Sequence, residues 1–223
     1  MLKVGLTGGV ASGKSTLARL LGNLGAQVCD ADVVVEELYR AGRPGAAAVQ
    51  ELFGSDALAV DGSVDRNALA RLVLADAAAR RRLEEAVHPL VRKSVEGWFT
   101  ALAHASVLPR IAVVEAALLV ETGAYRGQDR LVVVSAAYQT RRERALAAGW
   151  TAERFSQVAA AQLDDSAREA VADYVVRNDG GVNALERAAE ELWTMLQEDA
   201  LLLGAGKPLP ARQKKGKREK AKG

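Results

Sequence analysis

Apolar residues recur at two different periods along this chain. The runs 3–7, Gln27–Asp30, Ile111–Glu115, 131–135 and Tyr174–Arg177 are short, apolar or β-branched, and read as buried strands. Between and after them the spacing turns helical. Residues 15–24 set Leu17, Leu20, Leu21 and Leu24 on one face, and 182–203 does the same with Leu185, Ala188, Ala189, Leu192, Met195 and Leu196. A helix starts at 31–39, before the breaker cluster Gly42-Arg43-Pro44-Gly45. From there to 106 no strand pattern occurs. The spacing predicts helices over 45–53, 65–74, 76–87 and 89–105, with Asp65 and Asp76 as N-caps, a turn at Asp61-Gly62 and a break at His88-Pro89. Strands alternating with helices predict an α/β fold: a doubly wound, five-stranded parallel sheet in a three-layer α/β/α arrangement. Residues 42–106 read as a helical insertion in it.

One run changes this from an architecture into a chemistry. Residues 8–16 read Gly-Gly-Val-Ala-Ser-Gly-Lys-Ser-Thr, and Gly8, Gly13, Lys14 and Ser15 fit the phosphate-loop pattern G-x-x-x-x-G-K-[ST]. Glycines let successive backbone N–H groups turn inward on phosphate oxygens. In that pattern Lys14 reaches the β and γ phosphates of a nucleoside triphosphate, and the Ser15 hydroxyl holds Mg2+. A bare glycine turn is the alternative. The strand before the run and the helix after it argue for the phosphate site, because the helix N-terminus completes an anion cradle. Asp30-Ala31-Asp32 ends the second strand, at the carboxyl edge where such sheets bind ligands.

Composition narrows the partners. The net charge of +2 hides an asymmetry: residues 207–223 hold eight basic residues and one acidic, leaving the rest of the chain at −5. The folded body is therefore mildly acidic, which argues against a nucleic-acid-binding face on it. The glycine-, lysine- and proline-rich stretch 204–223 reads as a disordered tail. The single cysteine, Cys29, allows no internal disulfide and reads as a small buried apolar residue. His88 and His104 have no ligand-spaced partners for zinc. No leader pattern opens the chain, and no apolar run reaches the ~18 residues of a membrane span. The expectation is a cytoplasmic protein with no membrane partner and a monomeric form, an oligomer being left open.

The same residues resemble the bacterial dephospho-coenzyme A kinase family of phosphate-loop nucleotide kinases. The likeness runs to about residue 195. It is carried by Gly5-Leu6-Thr7-Gly8-Gly9 leading into Ser12-Gly13-Lys14-Ser15-Thr16, then by Asp30-Ala31-Asp32. Phe53-Gly54, Asp65-Arg66, Leu83-Glu84 and His88-Pro89-Leu90-Val91 follow in order. Leu118-Leu119, Glu121-Thr122-Gly123, Ala161-Gln162, Ala172-Asp173-Tyr174-Val175-Val176, Asn178 and Gly180 close the series. Two departures stand out. Glu115 and Ala117 occupy positions where the family has an aspartate and a proline, and Ala147-Ala148 precede Gly149 where it has an arginine.

The resemblance implies ATP-dependent phosphorylation of the 3′-hydroxyl of dephospho-coenzyme A to give coenzyme A and ADP. It implies a single kinase domain over 1–203, with a core of 1–41, 107–138 and 168–203, the insertion at 42–106 and a lid at 139–167. ATP and Mg2+ are the implied cofactors. Gly8, Gly9, Ala11, Ser12, Gly13, Lys14, Ser15 and Thr16 would hold the phosphates, and Asn178 and Gly180 would lie by the adenine. Asp32 would accept or orient the attacking hydroxyl. Its alternative role is to cap the following helix. Arg66, His88 and Arg92 would contact substrate from the insertion. Arg142 would clamp the transferred group, with Arg141 and Arg144 beside it. Those arginines also fit a solvated helical face. A kinase of another small hydroxyl compound or nucleoside monophosphate would share the loop. A non-catalytic switch or scaffold that binds ATP or GTP is the remaining alternative, and the guanine-specific N-K-x-D motif that would favour it is absent from the sequence.

Overall fold

The computed structural model describes residues 1–105 and 110–211. Positions 106–109, where the pattern hands the insertion back to the core, and 212–223, most of the basic tail, lie outside the described residues. The elements in chain order are β1 (Leu2–Gly8), α1 (Lys14–Asn23), β2 (Gln27–Asp30), α2 (Ala31–Leu38), α3 (Pro44–Phe53), α4 (Arg66–Ala75) and α5 (Ala77–Ala103). They continue with β3 (Ile111–Glu115), β4 (Arg130–Ser135), α6 (Tyr138–Ala147), α7 (Ala152–Ala160), α8 (Asp165–Val171), β5 (Tyr174–Arg177) and α9 (Val182–Gly204). The five strands order as β2-β3-β1-β4-β5. The pairs of β1 with β3, β1 with β4, and β4 with β5 are parallel.

The chain divides into two compact units, residues 1–28 with 107–223, and residues 29–106. In the first, β1, β3 and β4 are buried on both faces, which explains their continuous apolar sequence. Side chains of β4 alternate between the faces. Val132 and Val134 pack with Leu17, Leu21, Leu185, Leu192 and Leu196 under α1 and α9, while Leu131 and Val133 pack with Leu119, Val120 and Ala172. Parallel register brings the carboxyl ends of β1, β3 and β4 level: Leu6 lies opposite Glu115, and Gly8 opposite Val134. α9 runs to Gly204, and the chain beyond it folds back. Leu209 packs on the core, and Arg130 donates to the Pro210 carbonyl at 2.8 Å. Arg130 also pairs with the fully buried Asp199 at 2.6 Å. That pair ties α9 to the amino end of β4.

The second unit has its own core of Ala46, Val49, Ala57, Val64 and Leu69, with Tyr39, Phe53, Leu58, Val73 and Leu83 packed against it. It takes in α2, which the sequence pattern groups with the sheet. Asp65 and Asp76 cap α4 and α5 through side-chain bonds to following N–H groups. The break expected at His88-Pro89 does not occur: α5 is one helix with Pro89 inside it. An interior proline costs about 3 kcal/mol and deprives the Glu85 carbonyl of its donor. Pro89 and Glu85 are both exposed, so water can serve that carbonyl. Packing along α2, α3 and α4 offsets the remainder. Among the described residues no helix is long and apolar enough to cross a membrane.

Candidate active site

The loop between β1 and α1 is built by two backbone conformations that only certain residues adopt at low cost. Gly13, the N-cap of α1, has φ 97°, and Ala11 has φ 57°. Ala11 is the one non-glycine residue with positive φ among the described residues, and such strain collects at ligand-binding loops. The turn is closed by Ser12 N–H donating to Gly9 O at 3.1 Å. Lys14 and Ser15 open α1, so their side chains and the first free N–H groups of the helix share one end.

Glu115 faces this loop from the end of β3, 5 % exposed. Ser15 Oγ donates to Glu115 Oε1 at 2.5 Å, and Lys14 Nζ lies 4.0 Å from the same oxygen. The Glu115 carboxylate therefore reaches the loop serine and lysine together. Two oxygen donors this close are of the hard type that Mg2+ selects, and Mg2+ commonly takes only one or two protein oxygens and keeps its waters. No group of three or more His, Cys, Asp or Glu residues fit to hold a metal occurs among the described residues.

Asn178, just beyond β5 and 6 % exposed, grips the loop from another side. Its Nδ2 donates to Ser12 O at 2.8 Å, and a Cβ on Gly13 would collide with that nitrogen. The other end of the amide meets Arg144 Nη2 at 3.5 Å, and the same Arg144 nitrogen donates to Gly180 O at 3.1 Å. Both ends of the Asn178 amide are thus engaged within the protein. Gln162 accepts the Val10 N–H at 2.8 Å.

The lid arginines separate clearly. Arg141 lies against the loop: a Cβ on Gly9 would stand 2.5 Å from its Nη1, and its Nε donates to Ala136 O at 3.1 Å. Arg142 adds a distant positive charge to the surroundings of Glu153. The Glu153 carboxyl sits below its usual range, held there by hydrogen bonds from its own N–H and the Thr151 hydroxyl and, less strongly, by Arg142. Gly149, with φ 85°, ends α6 in a Schellman turn: its N–H donates to Leu146 O and that of Trp150 to Ala145 O, both at 3.0 Å.

In the second unit, Asp30 caps α2 by accepting the Asp32 N–H at 2.8 Å. The capping role is therefore filled by Asp30. The Asp32 carboxylate is exposed, with no hydrogen bond or ion pair among the described residues. Arg66 pairs with Glu36 at 2.7 Å, both side chains more than half exposed. His88 and Arg92 lie one turn apart on α5, half-buried and exposed respectively. Glu121, Asp165 and Arg168, which the sequence reading does not single out as site residues, extend the network around Arg141. Their positions in α8 and a loop carry no motif of their own. Only Glu121-Thr122-Gly123 marks the place.

Comparisons with known proteins point to one family. The model of a family described as dephospho-CoA kinase matches residues 2–184. A dephospho-CoA kinase of Frankia casuarinae is 42% identical over 86% of this chain and 82% of its own length. One from Aquifex aeolicus is 35% identical over 89% of this chain and 100% of its own. A solved structure from Thermus thermophilus is 30% identical, with a TM-score of 0.72 over 87% of this chain and 97% of its own. With its phosphate loop, parallel sheet and near full-length matches to these relatives, the chain belongs to the dephospho-CoA kinase family.

Proposed function

We propose that Lys14, Ser15, Glu115, Arg141 and Asp32 divide the work of the phosphoryl transfer that this kinase family carries out. The enzyme phosphorylates dephospho-CoA with ATP as donor. The hydroxyl oxygen attacks the γ-phosphorus, the bond from γ-phosphorus to the β,γ-bridging oxygen breaks, and ADP leaves. Positioning and charge stabilisation are most of what such a transfer asks of a protein.

The loop N–H groups from Ala11 to Thr16 bind the phosphate oxygens, and Lys14 neutralises the β and γ groups. Ser15 and Glu115 would hold Mg2+, which would supply positive charge to offset that of the phosphates. Arg141 meets the charge on the transferred group, a role supported by its guanidinium lying against Gly9. Asp32 accepts the proton of the attacking 3′-hydroxyl, supported by a carboxylate that capping leaves free. The insertion at 42–106 receives the pantetheine arm, with Arg66, His88 and Arg92 as its polar contacts. Asn178 and Gly180 shape the loop on the nucleotide side.

The observation that carries this reading is the meeting of Ser15 and Lys14 on the single carboxylate of Glu115. ADP release by Glu115→Gln across a Mg2+ titration tests it. The expected result is a Mg2+ requirement raised on the order of 10–100-fold, as for loss of a metal-site partner. A wild-type Mg2+ dependence would show that Glu115 does not serve the metal.

A further inference from the structure

Arg168 is a charge placed where charge is costly. Its side chain is 1 % exposed, on the short helix α8. A buried guanidinium is tolerated only when its partners are well set. Arg168 has two: Nη2 donates to Glu121 Oε1 at 2.6 Å, and Nη1 to Asp165 Oδ1 at 3.2 Å. The outer carboxylate is itself fixed, since Glu121 Oε1 also accepts the Leu163 N–H at 3.2 Å. The fit is incomplete, because Arg168 Nε and Glu121 Oε2 are buried with no hydrogen-bond partner. A network serving stability alone would gain little from two such orphan atoms.

Asp165 is where this network meets the active site. One oxygen takes Arg168, and the other, Oδ2, lies 3.6 Å from Arg141 Nη2. Arg141 in turn lies against Gly9. The chain Glu121–Arg168–Asp165–Arg141 thus ends on the phosphate loop, with two cations and two carboxylates alternating along it.

We infer that Arg168 is a positioning residue that aims Arg141 at the phosphates and keeps its charge available to them. By sharing Asp165, Arg168 weakens that carboxylate's hold on Arg141. Without Arg168, Asp165 faces Arg141 alone, closes into a neutral pair with it and draws the guanidinium off Gly9. The separation of 3.6 Å, longer than a direct charged hydrogen bond, is the geometry of that divided hold.

The inference rests on Arg141 being the phosphate clamp, and the test separates the two. Steady-state ADP formation with MgATP and dephospho-CoA is measured for the full-length wild type, Arg141→Ala, Arg168→Gln and the double variant, with folding checked by circular dichroism. Arg141→Ala is expected to lower kcat/KM for ATP about 10²-fold, as for one lost electrostatic donor. Arg168→Gln should lower it about tenfold through misplacement. In the double variant the Arg168 change should add less than about twofold, because the group it acts through is gone. Arg168→Lys, which keeps one charge, should recover part of the loss. If Arg168→Gln does not fold, Glu121→Gln enters the same cycle as a near-isosteric change. Normal turnover in Arg141→Ala would overturn the clamp and the positioning role together. An impaired Arg141→Ala with full additivity, or an Arg168→Gln of wild-type kcat/KM, would overturn the positioning role and leave the clamp standing.

Discussion

Replacing Asn178 by alanine tests how the loop is held. The change removes a 2.8 Å bond from a side chain only 6 % exposed, and leaves Ser12 O without that donor. A satisfied hydrogen bond contributes about 1 kcal/mol net, and a buried acceptor left unpaired costs about 1–3 kcal/mol. The Arg144 contact, at 3.5 Å, adds little. In a chain of this size each kcal/mol moves Tm by about 2–4 °C, so the drop should fall between about 2 and 12 °C. Because Ser12 belongs to the turn that sets the phosphate-binding N–H groups, KM for ATP should rise on the order of tenfold. Asn178→Asp should be worse than alanine, since it sets a carboxylate oxygen against the Ser12 carbonyl. Calorimetry and initial rates at varied ATP decide this. Alanine and aspartate variants with wild-type Tm and KM would refute the clasp. A changed preference between ATP and GTP at unchanged Tm would move Asn178 to direct recognition of the base.

Two other perturbations follow from the site and its surroundings. Asp32→Asn should leave nucleotide binding intact, read by titration with a fluorescent ATP analogue, while lowering turnover on the order of 10²-fold or more; near-normal turnover would remove Asp32 from the chemistry. Burial, helped by the charge of Asp30, pushes the Cys29 thiol above its usual range. Ellman's reagent at pH 8 should therefore label the folded chain on the order of 10²-fold more slowly than the guanidinium-unfolded one. The folded thiol holds its proton to higher pH than the unfolded one, so its contribution to stability is complete below the ordinary thiol range and lost as pH rises through the folded value. Equal labelling rates would contradict the burial.

The architecture was legible because each strand is a short apolar run and the loop glycines sit between a strand and a helix. Asp65 and Asp76 announced their caps correctly for the same local reason: an aspartate directly before an apolar period. Pro89 misled. Its local rule predicts a break, whereas three helices packed along α5 keep that helix whole. In the proposed site, the loop pattern alone singles out Lys14 and Ser15, which open α1, but it does not choose among the lid arginines. Arg141 and Arg142 are neighbours in a charge run, and helical rotation of about 100° per residue gives them different surroundings, with Arg141 against Gly9. Arg168 was beyond reach for a different reason: its partners Glu121 and Asp165 lie 47 and 3 positions away, and burial of an arginine leaves no pattern in sequence.

The measurement that bears most directly on the central claim is ADP release with MgATP in the presence and absence of dephospho-CoA, with product mass and phosphate position determined. Adenosine, AMP and shikimate serve as alternative acceptors. The account predicts ADP formation that depends on dephospho-CoA, and a product one phosphate heavier that carries the new group on the ribose 3′-oxygen. ADP formation that ignores dephospho-CoA but responds to one of the other acceptors, or a phosphate on any other oxygen, would contradict it.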